Sequence, residues 1–284
     1  MARVAETLES ADEAQRQPRA SQPRLPGWAS AWGSVLLKLV PAVLLLLLWE
    51  LGAGHFVDPY YVSQPSAILM RLANIGDWDG LTHLRITVTE MVVGYILGGL
   101  LGALVGYVCG VSDALNEIVE PYVLALYSIP MVALSPLIIL WLGIGVNSKI
   151  AIALFLVFFT VFYEVYLGVK SLNEEHVNIA LLMGASRAQV IRKVVIPTVF
   201  PYLMLGLRLG LPKTVTGAVV GEFVAAKAGL GYYVQKAAST FDPAGIFAGV
   251  TVLLVLTMAL STLFGVVEKR TLKWTSIDQR LADD

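Results

Sequence analysis

The chain has 284 residues, of which 57% are hydrophobic and only 14% charged, and its mean hydropathy is +0.72. Soluble proteins carry about 25% charged residues, so the composition excludes a soluble globular protein, and the single cysteine excludes a disulfide-rich secreted module. A balance of 20 basic and 21 acidic residues also excludes a nucleic-acid-binding protein, which leaves a protein with several membrane spans.

Polar tails are expected at both ends of the chain. Residues 1–30 contain several arginines and prolines with little apolar periodicity, which predicts a disordered tail. This stretch is too long and too polar for a cleavable signal peptide, so we expect the first span to be retained. A second tail is expected at 271–284.

Six apolar segments lie between the tails, each close to the roughly 20 residues that a helix needs to cross a bilayer. They lack the alternation of polar and apolar residues that marks a transmembrane β-strand. The predicted fold is an all-α polytopic membrane protein with six transmembrane helices in one domain, 31–270. The predicted spans are 35–53, 86–109, 121–142, 150–169, 199–224 and 246–267.

The distribution of Lys and Arg predicts the orientation, because these residues remain on the cytoplasmic side. Most of those in the connecting segments lie on the same side as the two termini, so both termini are expected in the cytoplasm. The outer segment 54–85 is expected to contain a short interfacial helix from Pro65 onward, capped by Ser66.

The cytoplasmic segment 170–197 predicts two short helices that meet at a sharp corner. Gly184 can adopt a positive φ and turn the chain there. Ser186 and Gln189 have the spacing of a capping box, and Pro197 is expected to end the second helix. Taken alone, this pattern fits either a loop lying on the membrane surface or a docking surface for a partner.

The spacing within this loop resembles that of bacterial ABC-importer permeases. Their loop reads EAA, three residues, Gly, nine residues and I-x-L-P. Here Ala180 takes the place of the last alanine before Gly184, nine residues follow, and the motif ends at Pro197. Asn178 stands where the glutamate is usual.

Two further stretches are similar to the nitrate/sulfonate/taurine branch of these permeases. One is IPMVALSP from Ile129, followed by ILWLGIG from Ile139. The other is GEFVAA from Gly221, followed by GLGY from Gly229. The resemblance covers most of the chain and implies the fold of a type I ABC importer permease.

The resemblance also implies a mechanism and partners. The corner would be a coupling helix seated in a groove of a cytoplasmic ATPase. The expected partners are a second copy of the chain, two ATPase subunits and an extracytoplasmic solute-binding protein. The chain contains no GxxxxGK[ST] phosphate loop, so it is not expected to be an enzyme, and ATP with Mg²⁺ would bind the ATPase. The expected ATPase-coupling residues are Asn178, Ala180, Met183, Gly184, Ala185, Ser186 and Pro197.

Charged and proline residues within the spans suggest where the path lies. A charge at the centre of the bilayer costs at least about 2.5–3.5 kcal/mol, which makes each such residue a functional candidate. Pro130, Pro136 and Pro212 are expected to interrupt the third and fifth spans. The expected path or gate residues are Met131, Ser135, Lys213 and Glu222. Lys213 would attract an anionic solute such as a sulfonate, nitrate or an aromatic carboxylate, and a pyrimidine precursor is the alternative in the same branch.

A ridge of glycines along the second span predicts close helix packing within the subunit, with a subunit interface or the path as alternatives. These glycines recur every four residues at 94, 98, 102, 106 and 110.

Two other function classes remain as alternatives. An ion-coupled secondary transporter would use intramembrane acids such as Glu90 and Glu164. A membrane-embedded enzyme is disfavoured, because no catalytic constellation is present and the three histidines are too scattered for a metal site.

Overall fold

The structure is a computed structural model, and it describes residues 31–56, 58 and 61–272. The tails predicted at 1–30 and 271–284 lie outside these residues, except for residues 271 and 272. The described helices are α1 (Ala31–Gly52), α2 (Pro65–Ala73), a 3₁₀ turn (Ile75–Trp78), α3 (Gly80–Val111), α4 (Asp113–Ser128), α5 (Met131–Leu142), α6 (Val146–Lys170), α7 (Glu174–Leu182), α8 (Arg187–Ala225), α9 (Leu230–Ser239) and α10 (Pro243–Thr271). Helix α1 belongs to one compact unit, and the other helices belong to a second unit that begins at Ala53.

The predicted all-helical, multi-span fold is confirmed. Helices α3, α6, α8 and α10 are each long and apolar enough to cross a membrane, and the α4–α5 pair passes the same test when its two helices are taken together. The remaining predicted span, 35–53, corresponds to α1. Its described apolar part, Leu39–Gly52, is shorter than the roughly 20 residues that a crossing requires. Length and composition therefore support four or five of the six predicted spans.

The third predicted span is broken between α4 and α5, which are bent by 101°. Ile129 has an extended backbone (φ −80°, ψ 125°), the conformation that a following proline imposes, and Pro130 precedes the first turn of α5. The interruption predicted at Pro130 is therefore confirmed. Pro136 and Pro212 lie inside α5 and α8 without ending either helix, so the breaks expected there are absent.

Helix α6 packs closely against α3 through the predicted glycine ridge. A Cβ at Gly98 would lie 2.6 Å from the carbonyl oxygen of Leu154, and one at Gly102 would lie 2.6 Å from that of Phe158. No larger residue fits at such distances. The ridge therefore packs within the subunit, as predicted.

Helix α8 approaches the same helix, α6, through glycines of its own. A Cβ at Gly217 would lie 2.6 Å from Cα of Ala153, and one at Gly206 would lie 3.1 Å from Cα of Val161. Helix α6 is thus in close contact with both α3 and α8, and residues such as Ile152, Val157 and Phe162 along it are fully buried.

The short helix expected after residue 64 is present as α2, but its predicted cap is wrong. Gln64, not Ser66, occupies the N-cap position, and Pro65 occupies the first turn. A proline suits this position because the N–H groups of the first turn have no partner within the helix.

The glycine packing predicts that Gly102→Ala destabilises the protein. The new methyl group would press on the backbone of α6, and overpacking of this kind costs about 1–3 kcal/mol. Gly265→Ala in α10 is the matched control, because nothing lies within 4 Å of a Cβ there. Thermal unfolding in a mild detergent would measure the melting temperatures of both purified variants. Equal melting temperatures for the two variants would contradict the packing assignment.

Candidate functional site

Helices α7 and α8 meet at a corner whose backbone is fixed by two hydrogen bonds. The N–H of Gly184 donates to the carbonyl oxygen of Leu181 (2.9 Å), and the N–H of Ala185 donates to that of Ala180 (3.0 Å). This pair of bonds is a Schellman motif, which needs a left-handed residue after the helix. Gly184 has a φ of +85°, so its predicted role in turning the chain is confirmed.

The predicted capping box at the start of α8 is also present. Ser186 Oγ accepts a hydrogen bond from the N–H of Gln189 (3.3 Å), and Oε1 of Gln189 accepts one from the N–H of Ser186 (2.7 Å). The prediction that Pro197 ends this helix is wrong, because α8 continues to Ala225. A π-helical stretch, Ile191–Val195, places Pro197 in the first turn of the α-helical part Ile196–Ala225, where a missing N–H is tolerated.

The corner projects large apolar side chains that no part of the described chain covers. Leu182 is 87% exposed and Met183 is 84% exposed. Behind them, Ala180 and Ala185 pack against a cluster of buried valines that includes Val190. The corner is therefore a rigid apolar projection supported from within the bundle.

Six of the seven residues expected to couple to an ATPase lie at this corner. Asn178, Met183, Gly184 and Ser186 are exposed, whereas Ala180 and Ala185 are partly buried. Pro197 is partly buried and lies about three turns into α8, away from the corner.

The four residues expected to line a path or gate lie on two helices, α5 and α8. Met131 and Ser135 are buried in α5, where Met131 belongs to the apolar cluster around Phe162 and the hydroxyl of Ser135 donates to the carbonyl oxygen of Val132 (2.8 Å). Lys213 is exposed on α8, and Glu222 is buried near the end of that helix.

Lys213 differs from Arg208, the nearest other cation along α8. The Nη1 atom of Arg208 lies 3.4 Å from Oε2 of Glu268 on α10, so this arginine is paired between helices. Lys213 makes no hydrogen bond or ion pair with any residue in the described ranges. An exposed, unpaired ammonium in the middle of a membrane helix is costly unless the surface around it is aqueous.

Glu222 belongs to a buried polar cluster at the opposite end of the bundle from the corner. Its Oε1 accepts a hydrogen bond from the hydroxyl of Thr87 (2.6 Å), and its Oε2 accepts one from the N–H of Gly231 (2.5 Å). Only 1% of Glu222 is exposed.

The same cluster satisfies the N-terminus of α9. The first N–H groups of a helix have no partner within the helix. Here the N–H of Gly229 donates to Nδ1 of His83 (3.0 Å), that of Leu230 donates to Oγ1 of Thr87 (2.8 Å), and that of Gly231 donates to Oε2 of Glu222 (2.5 Å). Side chains of α3 and α8 therefore cap α9.

This arrangement explains why glycines follow the Gly221-Glu222 pair in the sequence. Gly229 has a φ of +126°, and a Cβ on it would overlap the carboxylate of Glu222. A Cβ on Gly231 would lie 2.7 Å from Oε2 of Glu222. Both glycines leave room for the carboxylate to reach the backbone of α9.

Two more charged residues complete the cluster. Glu90 is 1% exposed and lies close enough to interact with Glu222. Lys149 is 2% exposed, donates a hydrogen bond to the carbonyl oxygen of Ala225, and interacts electrostatically with both carboxyl groups. Among the described residues, Oε2 of Glu90 has no hydrogen-bond partner.

Sequence reasoning missed two members of this cluster, Thr87 and Lys149. Lys149 lies just before the predicted span 150–169, but α6 begins at Val146 and carries Lys149 in its first turn. The available signal was the helical spacing of His83, Thr87 and Glu90, which places three polar residues on one face of α3.

Near this end of the bundle, an ion pair joins α2 to the start of α10. Nη2 of Arg71 lies 2.5 Å from Oδ2 of Asp242, and Nε of Arg71 donates to the hydroxyl of Tyr233 on α9 (3.2 Å). The bond to Tyr233 and the charge of Asp242 raise the pKa of Arg71 above its ordinary value. Trp78 stacks on Tyr233 with ring centroids 4.1 Å apart.

Comparison with known proteins decides the family. Residues 98–273 match the family described as the inner membrane component of binding-protein-dependent transport systems. The chain belongs to this family. It is therefore a multi-pass inner membrane permease subunit of an ABC importer and not an enzyme, and an ATPase and a solute-binding protein are its partners. Membership decides against the ion-coupled secondary transporter.

Curated relatives place this permease in the nitrate/sulfonate/taurine branch, in agreement with its motifs. It is 31% identical to the formylaminopyrimidine transport permease of Halalkalibacterium halodurans over 75% of this chain and 86% of that protein. It is 34% identical to the riboflavin transport permease of Chloroflexus aurantiacus (83% and 88% covered). It is 30% identical to the taurine transport permease of Escherichia coli (82% and 87% covered).

The fold of the permease is that of type I ABC importers. The inward-facing MetNI methionine ABC transporter has a chain that superposes with a TM-score of 0.55 at 21% identity, covering 68% of this permease and 94% of that chain.

The geometry of the cluster predicts that Gly229→Ala is more destabilising than Gly143→Ala. Both glycines have a positive φ, so each alanine carries a backbone strain of about 1–3 kcal/mol. Only position 229 adds a clash with Glu222, because nothing lies within 4 Å of a Cβ at 143. The measurement is thermal unfolding of both purified variants. The assignment fails if position 229 tolerates alanine as well as position 143 does.

Proposed function

We propose that two copies of the permease form the path for a small anionic solute that the solute-binding protein delivers. Two ATPase subunits bind the α7–α8 corners, one on each copy, and hold ATP and Mg²⁺. The observation that carries this proposal is the rigid, uncovered apolar projection at Leu182 and Met183.

The corner suits a docking surface better than a loop lying on the membrane. The Schellman motif and the capping box fix its backbone, so a partner that binds it loses little conformational entropy. Two long apolar side chains at its tip can fill a groove, as the anchors of protein interfaces do. The glycine at the turn keeps the tip narrow.

The charges around the corner support placing it in the cytoplasm. Arg187, Arg192 and Lys193 are all exposed in the first turns of α8. Basic residues next to membrane spans mark the cytoplasmic side. Both termini then also lie in the cytoplasm, and the cluster around Glu222 lies toward the outer surface, where the binding protein docks.

Lys213 supports both the path and the charge of the solute. At a rise of 1.5 Å per residue, it lies about 18 Å along α8 from Ala225, well inside a hydrocarbon layer of about 30 Å. An ammonium at this depth needs water or an anion beside it. Two copies facing each other across this surface of α8 would enclose such an aqueous space.

Relatives named for taurine, formylaminopyrimidine and riboflavin leave two classes of solute for this permease. A sulfonate or another anion would make use of the unpaired ammonium of Lys213. A pyrimidine precursor is the alternative and gains nothing from that charge.

Met183→Glu is expected to release the ATPase, because a carboxylate in an apolar groove loses its hydration. Recovery of the ATPase with the tagged permease from its native host should fall by at least about tenfold, which corresponds to about 1.4 kcal/mol. The matched control is Met70→Glu, a methionine on α2 that is 69% exposed at the other end of the bundle. Equal recovery of the ATPase with both variants would contradict the docking assignment.

Lys213→Met is expected to raise the KM for an anionic solute by about tenfold or more, because a hydrogen bond to a charged group contributes about 1.5–3 kcal/mol. Lys213→Arg should keep most of the activity. Lys227→Met, which removes an exposed lysine between α8 and α9, is the control. The KM of each variant would be measured by uptake into vesicles that contain the reconstituted complex. The solutes tested would be taurine, nitrate, benzoate and a neutral pyrimidine. Transport of the pyrimidine alone, with KM unchanged in Lys213→Met, would overturn the anionic assignment.

A further inference from the structure

An apolar groove with a volume of about 270 Å³ is lined by residues of α3, α8 and α10. Leu263 on its α10 wall is 63% exposed, so the groove is open along one side. Pockets that enclose a drug-sized molecule have volumes of about 300–1,000 Å³. A smaller groove with an open side suits part of a long, slender molecule instead.

The two polar side chains in the lining, Tyr95 and Thr214, are both bonded to the backbone. The hydroxyl of Tyr95 donates to the carbonyl oxygen of Leu207 (2.8 Å), and that of Thr214 donates to the carbonyl oxygen of Met91 (3.0 Å). Neither hydroxyl has a hydrogen left to donate to a ligand. The groove therefore presents an apolar surface, which suits a hydrocarbon chain better than a polar solute.

The ion pair between Arg208 and Glu268 lies at one end of this groove. Arg208 precedes the lining residue Leu211 by one turn of α8, and Glu268 follows the lining residue Phe264 by one turn of α10. The pair joins α8 to α10 just beyond the apolar lining.

Arg270 extends the groove-lining side of α10 beyond the ion pair. It lies three residues after Val267 and seven after Leu263, so it belongs to the same side of the helix as both. Arg270 is exposed and forms no ion pair with any residue that the structure describes.

The two arginines leave this end of the groove with hydrogen-bond donors and a net positive charge. Only Nη1 of Arg208 contacts Glu268, and its side chain is 61% exposed. A guanidinium carries five N–H donors, so most of those of Arg208 remain available. Glu268 neutralises one of the two positive charges. The planar donors of arginine match the oxygens of a phosphate group.

The depth of these charges corresponds to the headgroup level of a membrane. Arg270 is in the last turn of α10. Arg208 lies about 26 Å along α8 from its end at Ala225, close to the hydrocarbon thickness of about 30 Å. The apolar groove therefore extends from headgroup level into the hydrocarbon layer.

We propose that the groove binds one anionic phospholipid. The phosphate contacts Arg208 and Arg270, and one acyl chain lies between α3, α8 and α10. Basic sites between spanning helices recognise anionic lipid head groups in this way. Because the groove includes neither Lys213 nor the α7–α8 corner, lipid binding is independent of the proposed solute and of the proposed docking of the ATPase.

Native mass spectrometry of the full-length permease, purified with its ATPase, tests the headgroup preference. The probe is phosphatidylglycerol, and phosphatidylethanolamine with the same acyl chains is the comparison. Phosphatidylglycerol should bind about tenfold more tightly, because the ammonium of the other headgroup offsets the charge of its phosphate. Equal dissociation constants for the two lipids would overturn the proposal.

Arg270→Gln tests the basic end of the groove. This variant should weaken the binding of phosphatidylglycerol by about fivefold, because each basic residue near the membrane surface attracts an anionic lipid. Lys269→Gln is the matched control, since Lys269 is exposed in the same turn but lies on another side of α10. Equal dissociation constants for the two variants would contradict a specific site at Arg270.

Leu263→Trp tests whether an acyl chain occupies the groove. The indole would fill the space of the chain, so binding of phosphatidylglycerol should weaken by about tenfold. Leu254→Trp is the control, because Leu254 is 58% exposed on the same helix and does not line the groove. Unchanged binding in Leu263→Trp would overturn the proposal.

A cysteine at the groove distinguishes a lipid from a second copy of the chain. In Leu263→Cys the native thiol, Cys109, is buried, so oxidation in native membranes reports on position 263. No disulfide-linked dimer is expected if a lipid occupies the groove. A linked dimer would show that a second copy covers this surface and would overturn the proposal.

Discussion

The close approach of α6 to α3 and α8 is the constraint on which the rest of the structure depends. Lipid tails are as apolar as leucine, so spanning helices associate through tight packing rather than through the hydrophobic effect. Glycines on α3 and α8 allow this packing by bringing the helix backbones together. The same approach brings Lys149 of α6 beside Glu222 of α8 and Glu90 of α3, so the buried cluster is a product of the glycine packing.

Helix α8 connects the two functional ends of the permease. Its first turn forms half of the exposed corner, and its last turn carries Glu222. At 39 residues it is about 58 Å long, and close packing along α6 keeps it from bending freely. Under the proposed docking of the ATPase, a force applied at the corner would therefore act along α8 toward the cap of α9. The π-helical stretch Ile191–Val195, just inside the corner, is where the helix can adjust its register without breaking.

Local sequence signals predicted those features that depend on neighbouring residues. Long apolar runs located α3, α6, α8 and α10, and the turn at Gly184 followed from the freedom of glycine to adopt a positive φ. The prediction that Pro197 ends the helix was wrong because the π-helical stretch that accommodates this proline has no recognisable local sequence signal. The place of Lys149 in a helix was not predicted either, because a charged residue suggests a loop. Its burial depends on carboxyl groups that two distant helices bring beside it.

Burying the cluster around Glu222 costs desolvation free energy, and this cost bears on what the cluster does. Replacing buried ionic groups with apolar residues of similar size is often neutral or stabilising, so stability alone does not account for two carboxyl groups and an ammonium in one site. An apolar contact would stabilise the position of α9 through buried area and surface fit. This stabilisation would decrease only gradually as the helix moved. Hydrogen bonds to a single carboxylate depend steeply on distance and angle, so they are lost within a small displacement. Such a site fixes the first turn of α9 against α3 and α8.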